Sequence, residues 1–133
     1  MTSTIALETS TEGFSVAIEH KGAIAHHSEV APRQHAAKLL PTITELQQRI
    51  GMTRAEPEHI VYGCGPGAFT GVRIAVSAAQ GLGVGYSCSL IAISTLQNLA
   101  AQAFNRSNLD YCLAVIDARM GEVYCALYQR TDE

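Results

Sequence analysis

The stretch HIVYGCGPGAFTGVR, residues 59–73, carries the strongest indication of the fold. Its first six residues are largely apolar and predict a buried strand. The glycines and the proline that follow allow tight backbone turns, and they predict a short connection into a helix over about residues 70–85. A strand that passes into a helix in this way is typical of an α/β domain.

The residues before this stretch predict three strands and a helix. Residues 4–8 form a short apolar run, residues 14–18 alternate in polarity, and residues 23–30 follow a Lys-Gly turn. From His35 onward, apolar residues recur at steps of three and four as far as the residue before Gly51. This period predicts an amphipathic helix that Gly51 ends.

The residues after the stretch predict a strand over 89–93 and a helix over 95–104. The resulting order, β-β-β-α-β-α-β-α, resembles that of the ribonuclease H-like lobe of the actin-like ATPases (the ASKHA fold), a group that includes actin and sugar kinases. The resemblance implies a mixed sheet flanked by helices, and by itself it says little about activity.

Two further strands are predicted over residues 111–117 and 122–129, joined by the turn Ala-Arg-Met-Gly. An isolated hairpin is at best marginally stable in water. We therefore expect residues 1–109 to form an N-terminal actin-like ATPase lobe, and residues 110–133 to begin a second, similar lobe that is truncated in this sequence.

The composition restricts the classes of function. The chain has 133 residues, 47% of them apolar, a net charge of −3 and scattered Lys and Arg residues, so no surface for a nucleic-acid backbone is expected. No run of about eighteen uncharged apolar residues occurs, and the N-terminus does not resemble a secretory signal. These features predict a cytoplasmic protein without a membrane span.

The glycine loop at residues 65–73 has two interpretations. The amides at its helix N-terminus can bind an anion, and Thr70 and Arg73 can add a hydroxyl and a cation. The loop lacks the spacing and the lysine of a Walker P-loop. The other interpretation is a compact turn that brings the helix close to the sheet, and without further context the glycines favour it.

Two further motifs lie at strand ends. Glu8-Thr9-Ser10-Thr11 stands at the end of the first strand, where kinase-fold proteins place an acidic residue and small hydroxyls around phosphate and metal. Asp117-Ala118-Arg119-Met120-Gly121 is the second motif, a candidate phosphate-facing hairpin. Each motif is also common as a simple turn. The predicted nucleotide or anion site consists of Glu8, Thr9, Ser10, Gly65, Gly67, Thr70, Gly71, Arg73 and Asp117.

The sequence predicts no catalytic residue and no metal site. The adjacent His26 and His27 lie on a predicted strand and so face opposite sides, which is poor geometry for sharing a metal ion. His20, His35 and His59 have no second histidine three or four residues away. No local signature of a Ser-His-Asp or Cys-His nucleophile is present.

Several motifs, taken in order, resemble those of the TsaB (YeaZ) family and cover nearly the whole chain. The most specific are GPGAFTGVRI at residues 65–74 and DARMGEVY at residues 117–124. The others are IALETST at residues 5–11, FSVA at 14–17, His35 with LLP at 39–41, QGL at 80–82 and STL at 94–96.

The resemblance implies a non-catalytic scaffold or activator subunit in the synthesis of threonylcarbamoyladenosine on tRNA. The paralogue TsaD transfers the threonylcarbamoyl group to adenosine 37, and the two proteins pair. The ATPase TsaE joins them, and without TsaD the chain is expected to form a homodimer. The resemblance also implies that tRNA is bound only through the complex, that this chain holds no cofactor, and that ATP or ADP binds only in the assembled complex.

In that family the first two helices of this lobe form the interface with TsaD. The corresponding residues here are His35, Leu39, Ile43, Leu46, Arg73, Val76 and Gln80. TsaD has an H-x-x-x-H pair of metal ligands, and Thr95 and Leu99 occupy those positions here. Because neither side chain can replace imidazole as a ligand for iron or zinc, the resemblance implies that the chain is not an enzyme.

Two enzymatic alternatives remain open on the sequence. A kinase-fold ATPase or phosphotransferase would use Glu8, Thr9, Asp117 and the glycine loop with magnesium, although Glu8 stands where the TsaB family usually has Asp. A glycoprotease-type metallopeptidase, an activity once attributed to the wider family, is disfavoured by the missing histidine pair.

Overall fold

The computed structural model describes residues 2–53 and 57–131. Met1 and residues 132–133, at the ends of the two predicted domains, lie outside the described part. The described elements are β1 (Thr4–Glu8), β2 (Gly13–His20), β3 (Ala23–Val30), α1 (His35–Ile50), β4 (His59–Gly63), α2 (Phe69–Tyr86), β5 (Ser89–Ile93), α3 (Thr95–Asn105), β6 (Tyr111–Arg119) and β7 (Glu122–Gln129). They follow the predicted order. Within the described ranges, no helix has both the length and the apolar composition needed to cross a bilayer.

The first five strands form one mixed sheet in the order β3-β2-β1-β4-β5. β1, β2 and β3 are antiparallel neighbours, and β4 and β5 continue the sheet in parallel with β1. The register places Ile5 opposite Ile18 on one side and Ile60 on the other. α1 and α2 are the crossover connections that parallel strands require. The predicted mixed sheet with flanking helices is confirmed.

Both α1 and α2 pack on one face of this sheet. The alternation in β1 and β2 turns Ile5 and Ile18 toward the helices, and both are fully buried. α1 contributes Ile43 to this core, and α2 contributes Ala75 and Ala79. Because the α2 side chains at this contact are small, the helix lies close to the sheet.

α3 packs on the β6–β7 hairpin instead of on the sheet. Leu96 and Ala100 of α3 form a separate apolar cluster with Ala114 of β6, joined by the half-buried Phe104 and Tyr128. These residues do not belong to the cluster beneath α1 and α2. By packing, α3 therefore belongs with the hairpin, although the predicted N-terminal lobe, residues 1–109, includes it.

Four of the residues predicted for the partner interface lie on α1. The side chains of His35, Leu39, Ile43 and Leu46 are buried in the core of the chain itself. A helical period identifies which face is apolar, but it does not reveal whether that face covers a sheet or meets a partner. Here it covers the sheet, and Ile43 also lines a groove between α1 and α2.

His35 has a specific role in that core. Its Nε2 donates a hydrogen bond to the carbonyl oxygen of Thr11 at 2.7 Å, an assignment that follows because a carbonyl oxygen only accepts. Its ring packs against Phe14 with 5.8 Å between the ring centroids. His35 therefore ties the start of α1 to the turn between β1 and β2.

Leu39 and Leu40 provide a matched test of this packing, since they are 2% and 54% exposed. Leu39→Ala is expected to lower the free energy of unfolding by about 2–5 kcal/mol, because it leaves a cavity in a packed core. Leu40→Ala is expected to lower it by less than about 1 kcal/mol. Urea denaturation followed by circular dichroism measures both values, and equal losses would contradict the placement of Leu39.

Candidate functional site

A cleft of about 690 Å³ lies between the sheet and the β6–β7 hairpin. One wall is the turn after β1 with the beginning of α2, and the other is the end of β6 with one residue of β7. The lining residues are Thr11, Glu12, Gly67, Ala68, Phe69, Thr70, Ile116, Asp117, Ala118, Arg119 and Tyr124. The cleft thus combines two carboxylate residues, one guanidinium residue and several hydroxyl residues, which can hydrogen-bond a polar ligand.

The first wall is fixed by two hydrogen bonds between the turn and α2. The amide of Ala68 donates to the Ser10 carbonyl oxygen at 2.8 Å, and the Thr9 hydroxyl donates to the Gly71 carbonyl oxygen at 2.7 Å. A Cβ atom on Gly67 would lie 2.3 Å from the Ser10 oxygen, and one on Gly71 would lie 2.1 Å from the Thr9 oxygen. Both glycines are therefore required for the close approach of two backbones. This geometry supports the interpretation of the loop as a compact turn.

Gly65 turns the chain at the end of β4. Its φ of +93° lies in the region that favours glycine. Its carbonyl oxygen accepts a hydrogen bond from the amide of Thr95 at 2.9 Å. Gly65 is buried and joins the loop to the N-terminus of α3, and it does not line the cleft.

The predicted nucleotide-site residues do not converge on the cleft. Gly67, Thr70 and Asp117 line it. Thr9 and Ser10 are fully buried, so their side chains do not reach a ligand there. The residues that line the cleft and the buried residues that support its wall are neighbours in the chain. The sequence pattern alone therefore did not distinguish them.

Glu8 lines a different groove, of about 240 Å³, on the face of the sheet opposite α1 and α2. Its Oε1 accepts a hydrogen bond from the amide of Ser10 at 2.6 Å. Its carboxylate also occupies the space above Gly63, where a Cβ atom would lie 2.0 Å from Oε2. Glu8 and Asp117, which belong to one predicted site, therefore line separate cavities.

Arg73 is exposed on α2 and also lies outside the cleft. Its guanidinium stacks on the Phe69 ring, with the central carbon 3.8 Å from the ring centroid. The contact spans one helical turn and directs Arg73 along the surface of α2, where Gln80 is exposed as well. Arg73 therefore lies on the outer face of the helix.

Four polar residues that line the cleft stand outside the predicted nucleotide or anion site: Thr11, Glu12, Arg119 and Tyr124. Thr11 and Arg119 belong to the two strand-end motifs that the sequence singled out, whereas Glu12 and Tyr124 belong to neither. Asp117 Oδ1 accepts a hydrogen bond from the amide of Arg119 at 2.7 Å, the local bond that aspartate commonly makes two residues ahead in a turn. This bond holds the hairpin wall of the cleft.

A second candidate site is a groove of about 330 Å³ between α1 and α2. Its lining residues are Leu40, Ile43, Thr44, Gly81, Leu82, Gly85 and Tyr86. A Cβ atom on Gly81 or Gly85 would meet nothing within 4 Å, whereas one on Gly83 would lie 2.6 Å from the Leu90 side chain. Packing within the chain therefore explains Gly83 but not the other two. Val84, 84% exposed, adds apolar surface on the same helix.

Shifted pKa values occur away from both sites. The hydrogen bond from Lys38 and the nearby charges lower the pKa of Glu29 on β3. Burial raises the pKa of the Cys88 thiol. Neither Glu29 nor Cys88 lines the cleft or the groove. Among the described residues, no three His, Cys, Asp or Glu side chains are grouped as metal ligands would be.

The five-stranded mixed sheet, the two helices on one face and the cleft against a following hairpin define a lobe of the actin-like ATPase class. The TsaD family, described as tRNA N6-adenosine threonylcarbamoyltransferase, matches residues 20–133. The chain is 41% identical over 128 residues to the tRNA threonylcarbamoyladenosine biosynthesis protein TsaB of Escherichia coli, and 42% identical over 120 residues to TsaB of Haemophilus influenzae. These matches cover 96% and 90% of this chain, but 55% and 51% of the relatives.

Solved structures give the same assignment. YeaZ from Pseudomonas aeruginosa superposes with a TM-score of 0.94 at 43% identity, over 99% of this chain and 62% of that one. RuvC from Thermus thermophilus, solved with a Holliday junction substrate, has a TM-score of 0.52 at 10% identity over 80% of this chain and 73% of its own, and shows the fold alone. The chain therefore belongs to the TsaD family and, within it, to the TsaB (YeaZ) group. It spans about half to three fifths of the length of these TsaB and YeaZ relatives.

Gly71→Ala tests the contact between α2 and the turn after β1. It is expected to lower the free energy of unfolding by about 2 kcal/mol or more, because the new methyl group overlaps the Thr9 carbonyl oxygen. Gly81→Ala is the matched control on the same helix, and it is expected to raise that free energy by about 0.5–1 kcal/mol. Urea denaturation measures both. A neutral Gly71→Ala would mean that the contact does not constrain the fold.

Proposed function

We propose that this chain is a non-catalytic partner subunit in tRNA threonylcarbamoyladenosine biosynthesis, and that it pairs with TsaD through the groove between α1 and α2. The observation that carries the proposal is the pair Gly81 and Gly85, which line the groove without any neighbour that needs their small size. Each glycine costs a helix interior about 0.5–1 kcal/mol relative to alanine. A partner helix seated in the groove supplies the packing that this chain lacks.

The surface proposed for pairing surrounds the groove. Leu40 and Val84 give it exposed apolar side chains. Arg73 and Gln80, both exposed on α2, and the half-buried Val76 extend it. An apolar centre with a polar rim is the usual composition of a protein interface. Membership of the TsaD family supports TsaD as the partner, and the same surface is proposed for a homodimer when TsaD is absent.

The proposal leaves the transfer chemistry to TsaD. Thr95 is buried and Leu99 is an apolar side chain, so the two positions offer no metal ligand. Because most of the predicted nucleotide residues lie outside the cleft, we place ATP or ADP binding in the assembled complex, which includes the ATPase TsaE. With its net charge of −3 and scattered basic residues, the chain contacts tRNA only through that complex.

A kinase-fold ATPase is the enzymatic alternative. It requires acidic residues after β1 and at the end of β6 to act on one magnesium-bound phosphate. Glu8 and Asp117 line different cavities, which favours the subunit over the enzyme.

Leu40→Glu is expected to abolish the complex with TsaD, because it places a charge in the apolar centre of the proposed surface. Leu99→Glu is the matched control, since Leu99 is 40% exposed on α3. Light scattering during size-exclusion chromatography detects the complex, and tRNA modification is assayed on each peak. An intact Leu40→Glu complex would contradict the proposed surface. Nucleotide turnover or tRNA modification by the chain alone would contradict the non-catalytic role.

Gly85→Ala separates pairing from folding. It is expected to stabilise the isolated chain by about 0.5–1 kcal/mol, and to weaken the complex with TsaD by about tenfold or more, because the methyl group fills space meant for the partner. Gln97→Ala, exposed on α3 and outside the proposed surface, is expected to leave the affinity unchanged. Calorimetric titration measures the affinity. Wild-type affinity in Gly85→Ala would refute helix docking in the groove.

A further inference from the structure

Arg130, directly after β7, binds the far end of α3. Its Nη2 donates to the carbonyl oxygens of Phe104 at 2.8 Å and Ser107 at 2.6 Å. Its Nε donates to the carbonyl oxygen of Leu109 at 3.1 Å. Its backbone amide donates to the carbonyl oxygen of Asp110 at 2.7 Å. One residue therefore spans the whole connection between α3 and β6.

The chemistry of this contact is favourable for a cation. The last carbonyl groups of a helix have no partner within the helix and carry the negative end of its dipole. A guanidinium presents several donors in a fixed planar arrangement, so it can bond three carbonyl groups at once. The guanidinium also lies over the Phe104 ring, 5.0 Å from its centroid.

The elements that Arg130 joins share an apolar cluster of their own. Leu96 and Ala100 pack against Ala114 of β6 and are absent from the cluster beneath α1 and α2. A backbone hydrogen bond from the Thr95 amide to the Gly65 carbonyl oxygen joins α3 to the first unit. The hairpin supplies the wall of the cleft that faces α2, so the position of this second unit determines the width of the cleft.

We propose that α3 and the β6–β7 hairpin form one cooperative unit that opens separately from the sheet, and that Arg130 is the latch that makes it a unit. With the latch closed, the hairpin wall and α3 change position together, and the cleft opens or narrows as a whole. With the latch broken, the hairpin separates from α3 and the cleft loses one wall. This device is independent of pairing through the groove between α1 and α2.

Native-state hydrogen exchange of the backbone amides tests the proposal. In the unaltered chain, the amides of α3 and of the hairpin are expected to exchange through one common opening, faster than the amides of β1 and β2. In Arg130→Met, the hairpin amides are expected to exchange roughly tenfold to a hundredfold faster, because charged hydrogen bonds are lost. The amides of β1 and β2 are expected to keep their rates.

Two further variants define the outcome. Arg130→Lys keeps a cation without the planar fork, so an intermediate increase is expected. Arg49→Met removes an arginine from the last turn of α1 and is expected to leave hairpin exchange unchanged. The proposal is overturned if Arg130→Met changes hairpin exchange by less than twofold, or if β1 and β2 lose protection to the same extent as the hairpin.

Discussion

The contact between two backbone segments, Thr9–Ser10 and Gly67–Gly71, is the constraint on which the rest of the structure depends. The Ala68 amide reaches the Ser10 carbonyl oxygen at 2.8 Å only because no Cβ atom stands between the two segments. The contact fixes the beginning of α2 against the end of β1. The direction of α2 then determines both the cleft wall at its N-terminus and the groove along its side.

The strands and helices could be predicted because their signals are local. A period of two in β1 and β2 and steps of three and four in α1 follow directly from where an apolar face must lie. Gly51 ends α1 with a φ of +73°, as its position after the last apolar residue indicated. What covers an apolar face is a tertiary property. For that reason the apolar period of α1 predicted Leu39, Ile43 and Leu46 as partner residues without revealing that they are buried, whereas the neighbouring Leu40 is exposed.

The candidate site was harder to predict than the fold. The successive residues Glu8, Thr9 and Ser10 lie in different environments. Glu8 lines a groove on the open face of the sheet, and the other two are fully buried. Glycines of the same helix also differ in their surroundings. A Cβ atom on Gly83 would overlap the Leu90 side chain, whereas one on Gly85 would meet nothing within 4 Å. These distinctions depend on neighbours that are distant in sequence, so no local pattern could supply them.

Phe69 lies where the cleft meets the outer face of α2. Its side chain lines the cleft, and its ring carries the guanidinium of Arg73, which lies on the outer face of α2. The stacking holds the ring at the N-terminal turn of α2, so the cleft wall that faces Asp117 and Arg119 shares one side chain with the outer face of the helix. A substitution at Phe69 therefore alters both surfaces, whereas one at Gly81 or Gly85 leaves the cleft lining unchanged.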